Sequence, residues 1–227
     1  MKTLNLRILR GAPGRETHYQ TYTVTVPDEA NILDAVHMVY GTQDKTLMFR
    51  HACHHASCGL CGALVNGRER LMCVVPVSEF AEGATVTVEP LRNLPWRGDL
   101  VVDVKPLMEE MAKIECAFVR KDELTTCPEG GEGMRFEDCI ECGLCMSACP
   151  IVGSDTRYPG PAPLAMMMRL VEDPRERDIS QICAIANGPH GVWRCHSVME
   201  CTEVCPSFVD PSEKIGWLRR YLFFKRR

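Results

Sequence analysis

Apolar side chains alternate along the first segment. In "TLNLRIL", Leu4, Leu6 and Ile8 share one face, the period of a strand. "GAPG" at 11–14 interrupts it as a turn, and "THYQTYTVTV" supplies a returning strand. The period then changes. In "DEANILDAVHMVY", Ile32, Leu33, Val36 and Val39 recur at helical spacing, with Asp28 placed to cap the helix. "GALVNGRERLMC" predicts a hairpin turning at Asn66-Gly67, and "ATVTVEPL" another strand. Hairpin, helix, hairpin and strand together predict a small β-grasp sheet folded over one helix.

After "DLVVDV" the pattern is helical, punctuated by Gly and Pro in "EGGEG", "YPGPAP" and "EDPRE". "KPLMEEMAKIECAF" opens on Pro106 as a first helical residue and carries Leu107, Met108, Met111 and Ile114 on one side. The boundary is placed near 100–106, giving domains of 1–105 and 106–227. At the end, "DPSEKIGWLRRYLFFKRR" predicts a helix capped by Asp210, with Pro211 and Glu213 in its first turn. Ile215, Leu218 and Leu222 form a stripe beside Trp217, Tyr221 and Phe224. Lys214, Arg219, Arg220, Lys225, Arg226 and Arg227 crowd the same helix. Two readings stand for it: a docking helix with a solvated basic edge, or a contact with a membrane anchor or anionic headgroups. Met166, Met167 and Met168 are expected as core filler under a metal centre.

Bulk composition adds little until the cysteines are counted. Hydrophobic content of 45% and charged content of 25% are those of a globular chain. The net charge of -4 gives no pointer to a nucleic-acid partner. No run of 18 apolar residues spans a bilayer, and the N-terminus lacks an apolar signal core, so export by this chain alone is not expected. Fourteen cysteines in 227 residues is high for a chain too long to be a small disulfide scaffold. Several lie two residues apart, which suits metal chelation in a reducing compartment.

Cys53, Cys58, Cys61 and Cys73 follow C-x4-C-x2-C-x11-C, whose opening is the plant-type spacing for a [2Fe–2S] cluster. Ala56, Ser57, Gly59 and Gly62 are small enough for backbone amides to approach the sulfurs. A structural zinc site is the alternative. His51, His54 and His55 invite a Rieske reading; with four cysteines available they are expected as surface groups or neighbours of the ligands.

The second half holds a repeat. "CIECGLCMSACP" from Cys139 and "CHSVMECTEVCP" from Cys195 superpose at three cysteines and the proline. The fourth cysteine of such a run ligates the other cluster of a pair. Crossing the ligands gives Cys139, Cys142, Cys145 and Cys205 for a [4Fe–4S] cluster. It leaves Cys149, Cys195 and Cys201 for the other, where Val198 replaces the fourth donor, hence a [3Fe–4S] cluster. The alternative is a fourth iron held by water or substrate, as in a dehydratase. Cys116, Cys127 and Cys183 receive no role. The expected class is α+β: a plant-type [2Fe–2S] ferredoxin domain of β-grasp form, then an all-α helical ferredoxin domain with two clusters.

This constellation resembles the iron–sulfur subunit of succinate dehydrogenases and fumarate reductases. The resemblance rests on all eleven ligand positions, on "DLVVDV", and on the two cysteine runs, and it covers nearly the whole chain. "CHSVMEC" is similar to succinate dehydrogenases; "GVW", "TEVCP" and "VDP" are closer to fumarate reductases. The resemblance implies an electron-transfer subunit of a quinone-linked oxidoreductase. It would lie between an FAD flavoprotein subunit and a membrane quinone, beside membrane-anchor subunits. The location implied is peripheral, on the cytoplasmic face of the inner (plasma) membrane. Pro150 and His196 match residues lining the family's quinone pocket, while Ser154 stands where succinate dehydrogenases carry a tryptophan. The loop Cys53-His54-His55-Ala56-Ser57 departs from the family's Cys-Arg-Glu-Gly, on the side that would face the flavoprotein. The alternative is the same electron path in a soluble complex with another substrate or a non-quinone acceptor. No Gly-rich dinucleotide fingerprint and no catalytic triad appear, so chemistry on carbon is expected on another subunit.

Overall fold

The computed structural model of the chain describes residues 1–115, 138–173 and 179–225. Its contacts divide into two units: Met1–Val104 with Cys142–Leu144, and Lys105–Glu141 with Cys145–Arg227.

The first unit is built on a mixed five-stranded sheet. β1 (Lys2–Arg10) and β2 (His18–Val26) pair antiparallel from Lys2–Val26 to Arg10–His18. β5 (Thr85–Glu89) runs parallel to β1, and β3 (Gly62–Val65) and β4 (Arg68–Leu71) complete the order β2-β1-β5-β3-β4. The alternation read from the sequence decides which face is inside. Leu4, Leu6 and Ile8 are fully buried, and Tyr22, Val24, Val26, Val86 and Val88 join them. Each buried aliphatic side chain contributes roughly 1.5–3 kcal/mol. α1 (Ile32–Thr42) buries Ile32, Leu33, Ala35, Val36 and Val39.

Asp28, placed by spacing as the cap of α1, is not the cap. The Ala30 amide donates to the Pro27 carbonyl, so the chain turns through 27–30 and enters the helix at Asn31. There the Asn31 side chain accepts from the Asp34 amide and Asp34 accepts from the Asn31 amide, both at 3.0 Å. Asp28 instead meets the chain's own amino group at 2.9 Å.

A buried charge cluster fixes the approach to the cysteine loop. Arg10 is 8% exposed and Asp99 4%. Arg10 Nη1 lies 2.5 Å from Asp44 Oδ2, its Nε lies 3.1 Å from Asp99 Oδ1, and it also contacts the Tyr22 hydroxyl. Asp99, in the turn between β6 (Trp96–Gly98) and β7 (Val101–Val102), accepts from the amides of Gly11 and Met48 at 2.9 and 2.8 Å. The segment after α1 is thereby tied to β1. Asp99→Asn removes a charge from a buried pair and turns its amide nitrogen toward one of the two backbone donors. It is expected to cost about 3–5 kcal/mol, read from the shift in the denaturation midpoint. Bonds from Thr46, Tyr22 and Arg10 hold the Asp44 carboxyl well below its usual range. Its contribution is therefore full above the unfolded-state pKa near ~4 and lost as pH falls below it. Asp44→Asn should flatten that part of the stability profile.

The second unit, in its described residues, is made of helices. α2 (Lys105–Glu115) buries Leu107, Met111 and Ile114, while Met108, expected on that side, is 36% exposed. Short α3 (Leu144–Ala148, its first residue grouped with the first unit) and α4 (Pro150–Ser154) precede α5 (Pro161–Glu172). α5 is buried on most sides, as a central helix must be. It begins at Gly160, where φ is 98° and a Cβ would collide with Met146 Sδ. α6 (Ser180–Ala186), α7 (Glu200–Glu203) and α8 (Pro211–Lys225) follow. Asp210 caps α8 by accepting from the Glu213 amide at 3.2 Å. Met167, Met168, Leu164, Ile215, Leu218 and Leu222 share one core with Cys149 and Tyr158.

Candidate functional site

The first set of cysteines is assembled by a loop and a hairpin. Between Cys53 and Cys61 the backbone turns left-handed at His54, Ala56 and Gly59, with φ of 62°, 61° and 69°. Those turns aim amides inward: His55, Ser57 and Cys58 donate to Cys53 Sγ at 3.5, 3.3 and 3.3 Å. Cys61 stands just before β3 and Cys73 just after β4, and pairing of Gly62 with Leu71 returns the two ends to each other. The sulfurs come as two contacting pairs, Cys53 with Cys58 and Cys61 with Cys73. The amide of His55, with those of its neighbours, draws the Cys53 thiol down to about 6; burial pushes Cys61 up to about 12.

Of the second set, Cys139 and Cys205 lie near enough in the helical unit to interact electrostatically, and Cys145 belongs to that unit too. Cys142, with Gly143 and Leu144, groups with the first unit.

Cys149, Cys195 and Cys201 surround one recess, also lined by Tyr158, His196, Val198, Met199 and Ile215. Burial raises Cys149, and it pushes Cys201 up to about 12. A metal bound here would displace the thiol protons and hold the three as thiolates. The buried Tyr158 hydroxyl interacts with all three, has no nitrogen or oxygen partner, and its neighbour is the Cys195 side chain. A sulfide or thiolate in the recess would accept from it. Val198 lines the recess and is 53% exposed.

The two repeats share a backbone. Cys142 sits between left-handed Glu141 (φ 54°) and Gly143 (φ 78°); Val198 sits between Ser197 (φ 56°) and Met199 (φ 64°). In each, the amide two residues after the first cysteine donates to its sulfur: Ser197 to Cys195 at 3.4 Å, Glu141 to Cys139.

Pro150 and His196 are both exposed, each following a cysteine of the third set. Cys183 is half-buried against the core; Cys116, Cys127, Arg226 and Arg227 lie outside the described residues. The basic edge of α8 needs correction. Lys214 is 7% exposed, with Nζ 4.2 Å from the Trp217 ring centre. Arg219 turns inward and donates to the carbonyls of Val192 and Cys195 and to Ser197 Oγ. Sequence reasoning missed the roles of Arg219 and Tyr158, since a basic helix end and a Tyr-Pro-Gly turn have commoner uses.

The sulfurs fit clusters better than single ions. Among the described residues no three cysteine sulfurs lie mutually within 4.8 Å. Three thiolates on one zinc, each at ~2.3 Å, would be about 3.8 Å apart.

Comparison with known proteins agrees. Residues 5–109 match the family model for a 2Fe-2S iron-sulfur cluster binding domain, and residues 135–209 that for a 4Fe-4S dicluster domain. The chain is 31% identical to the fumarate reductase iron-sulfur subunit of Haemophilus influenzae, over 94% of this chain and 90% of that one. It is 34% identical to that of Mycobacterium tuberculosis, over 89% and 84%. A chain of the Mycobacterium smegmatis Sdh1 complex superposes with a TM-score of 0.90 at 29% identity, covering 99% of this chain and 97% of that one. Spacing, backbone and end-to-end likeness lead to one place: the chain belongs to the iron–sulfur subunits of the fumarate reductases and succinate dehydrogenases, the electron-transfer subunits of oxidoreductase complexes.

Proposed function

We propose that the chain carries single electrons between an FAD flavoprotein subunit and a membrane quinone. Its first unit is a β-grasp ferredoxin domain and its second an all-α helical one, divided at 105/106. Cys53, Cys58, Cys61 and Cys73 hold the [2Fe–2S] cluster; Cys139, Cys142, Cys145 and Cys205 the [4Fe–4S]; Cys149, Cys195 and Cys201 the [3Fe–4S]. When bound, the clusters supply one-electron chemistry. The chain's residues fix their spacing, donate amides to sulfur and set how much water reaches each.

The observation that carries this reading is the third recess, where three thiols and a buried hydroxyl converge and valine stands at the position matching Cys142. Exposed apolar groups support docking: Val198 and Met199, at 58%, on the recess itself, and elsewhere Phe208 at 81% with Phe223 and Phe224 at the end of α8. Among the described residues no helix is long and apolar enough to cross a membrane. In this reading the chain is peripheral, on the cytoplasmic face of the inner membrane, held by anchor subunits, with Pro150 and His196 at the quinone.

The test is anaerobic purification of the whole complex. About nine irons per chain are expected, with a three-iron paramagnetic signal in the oxidised state and electron transfer from the flavin substrate to quinone. Zinc in place of iron, or an active complex that is fully soluble and ignores quinone, would overturn the proposal.

A further inference from the structure

Beside the cysteine loop of the first unit stands a second cluster of donor side chains, which the electron path does not use. His37 projects from α1; His51 and His54 flank the entry to the loop, with His54 next to Cys53. One ring nitrogen from each lies within 4.8 Å of the others. His54 Nε2 is 3.3 Å from His51 Nδ1. Two imidazoles on one tetrahedral ion, at ~2.0–2.1 Å each, are about 3.3 Å apart, so this pair already has the required separation. His37 Nε2 is buried and has no hydrogen-bond partner. Its ring stands edge-on to His51, centres 4.2 Å apart, and stacks with His54 at 5.2 Å.

We propose that His37, His51 and His54 form a site for one divalent transition-metal ion of the zinc type, with a coordination position left open. Three neutral imidazoles are the donor set that zinc, copper and nickel prefer over magnesium or calcium. A buried nitrogen without a partner is otherwise an uncompensated polar group, and a metal satisfies it. The remaining nitrogen of His54 points the same way. Nδ1 lies 4.0 Å from Asp34 Oδ1, the approach by which a carboxylate orients a ligating histidine. That carboxylate is held in place because its other oxygen accepts from Asn31 at the start of α1. An open recess lined by His37, Tyr40, Phe49 and His51 gives an ion access.

The bound ion ties α1 to the loop that carries Cys53. Its donors are three imidazoles, none of them among the cluster ligands proposed above. It stands or falls on its own chemistry.

The experiment is titration of the purified, cluster-loaded chain with zinc chloride alone, followed by zinc X-ray absorption. One ion per chain is expected, with nitrogen neighbours near ~2.0 Å. His37→Gln, His51→Gln and His54→Gln should each weaken binding by about tenfold or more, and in the His37 and His51 variants the visible circular dichroism of the [2Fe–2S] centre should be unchanged. Sulfur neighbours near ~2.3 Å would place the zinc in a cysteine site and overturn the proposal. So would zinc affinity equal to that of the unaltered chain in the substituted ones, or no binding at all. If His37→Gln does not fold, the exposed His51 and His54 variants decide the matter.

Discussion

A chain carrying Val198→Cys takes up a fourth iron at its third centre, and the potential of that centre falls. The substitution needs no rearrangement of the backbone. Val198 sits between two left-handed residues, as Cys142 does in the other repeat, and it already lines the recess with Cys149, Cys195 and Cys201. A thiolate at the valine position therefore arrives on a loop built to present one. Adding a negatively charged donor and an iron changes cluster type and net charge, two of the main determinants of iron–sulfur potentials. A fall of about 120 mV shifts a one-electron equilibrium about a hundredfold against that centre. The expected result is loss of the three-iron signal, one more iron per chain, and slower delivery to quinone with flavin chemistry intact. Unchanged iron content would show that Val198 is not the fourth corner, and the crossed ligand assignment would go with it.

The parts of this molecule that were legible in the sequence are those set by neighbours along the chain. Alternation at Leu4, Leu6 and Ile8 reports a face because a strand has a period of two. Cysteine spacing reports a cluster loop because the ligands must lie within a few residues of turned backbone. The cap of α1 was misread at Asp28 because a turn through 27–30 decides where the helix begins, and Asn31 and Asp28 are equally good caps on paper. Tyr158, Arg219 and the three histidines were illegible for a different reason. Each acquires its meaning from a residue far along the chain: Tyr158 from Cys195, Arg219 from Val192 and Cys195, His37 from His51 and His54. No local period encodes such meetings. They depend on how α8 lies against the second repeat, and on how the segment pinned by Asp99 runs past α1.

Arg219 shows how much one such meeting decides. Its guanidinium gathers the carbonyls on either side of the turn that leads into the second cysteine run, Val192 and Cys195, and reaches Ser197 Oγ at 3.1 Å. Cys195 and the left-handed Ser197 are thereby fixed in place before any metal binds. Arg219→Ala leaves two carbonyls without their charged donor, at a local cost of about 3 kcal/mol. The loop can recover part of this by opening to water, but opening moves Cys195 away from Cys149 and Cys201. The third centre is therefore expected to lose iron on purification, while the other two clusters and the helical content stay. Arg219→Lys should not rescue it, because one ammonium cannot span acceptors that a planar fork reaches together. The decisive readout is the three-iron signal measured against the [2Fe–2S] signal of the same sample. A ratio equal to that of the unaltered chain in Arg219→Ala would mean that the loop holds its shape through sulfur alone. Arg219 would then be only a basic residue on the side of α8.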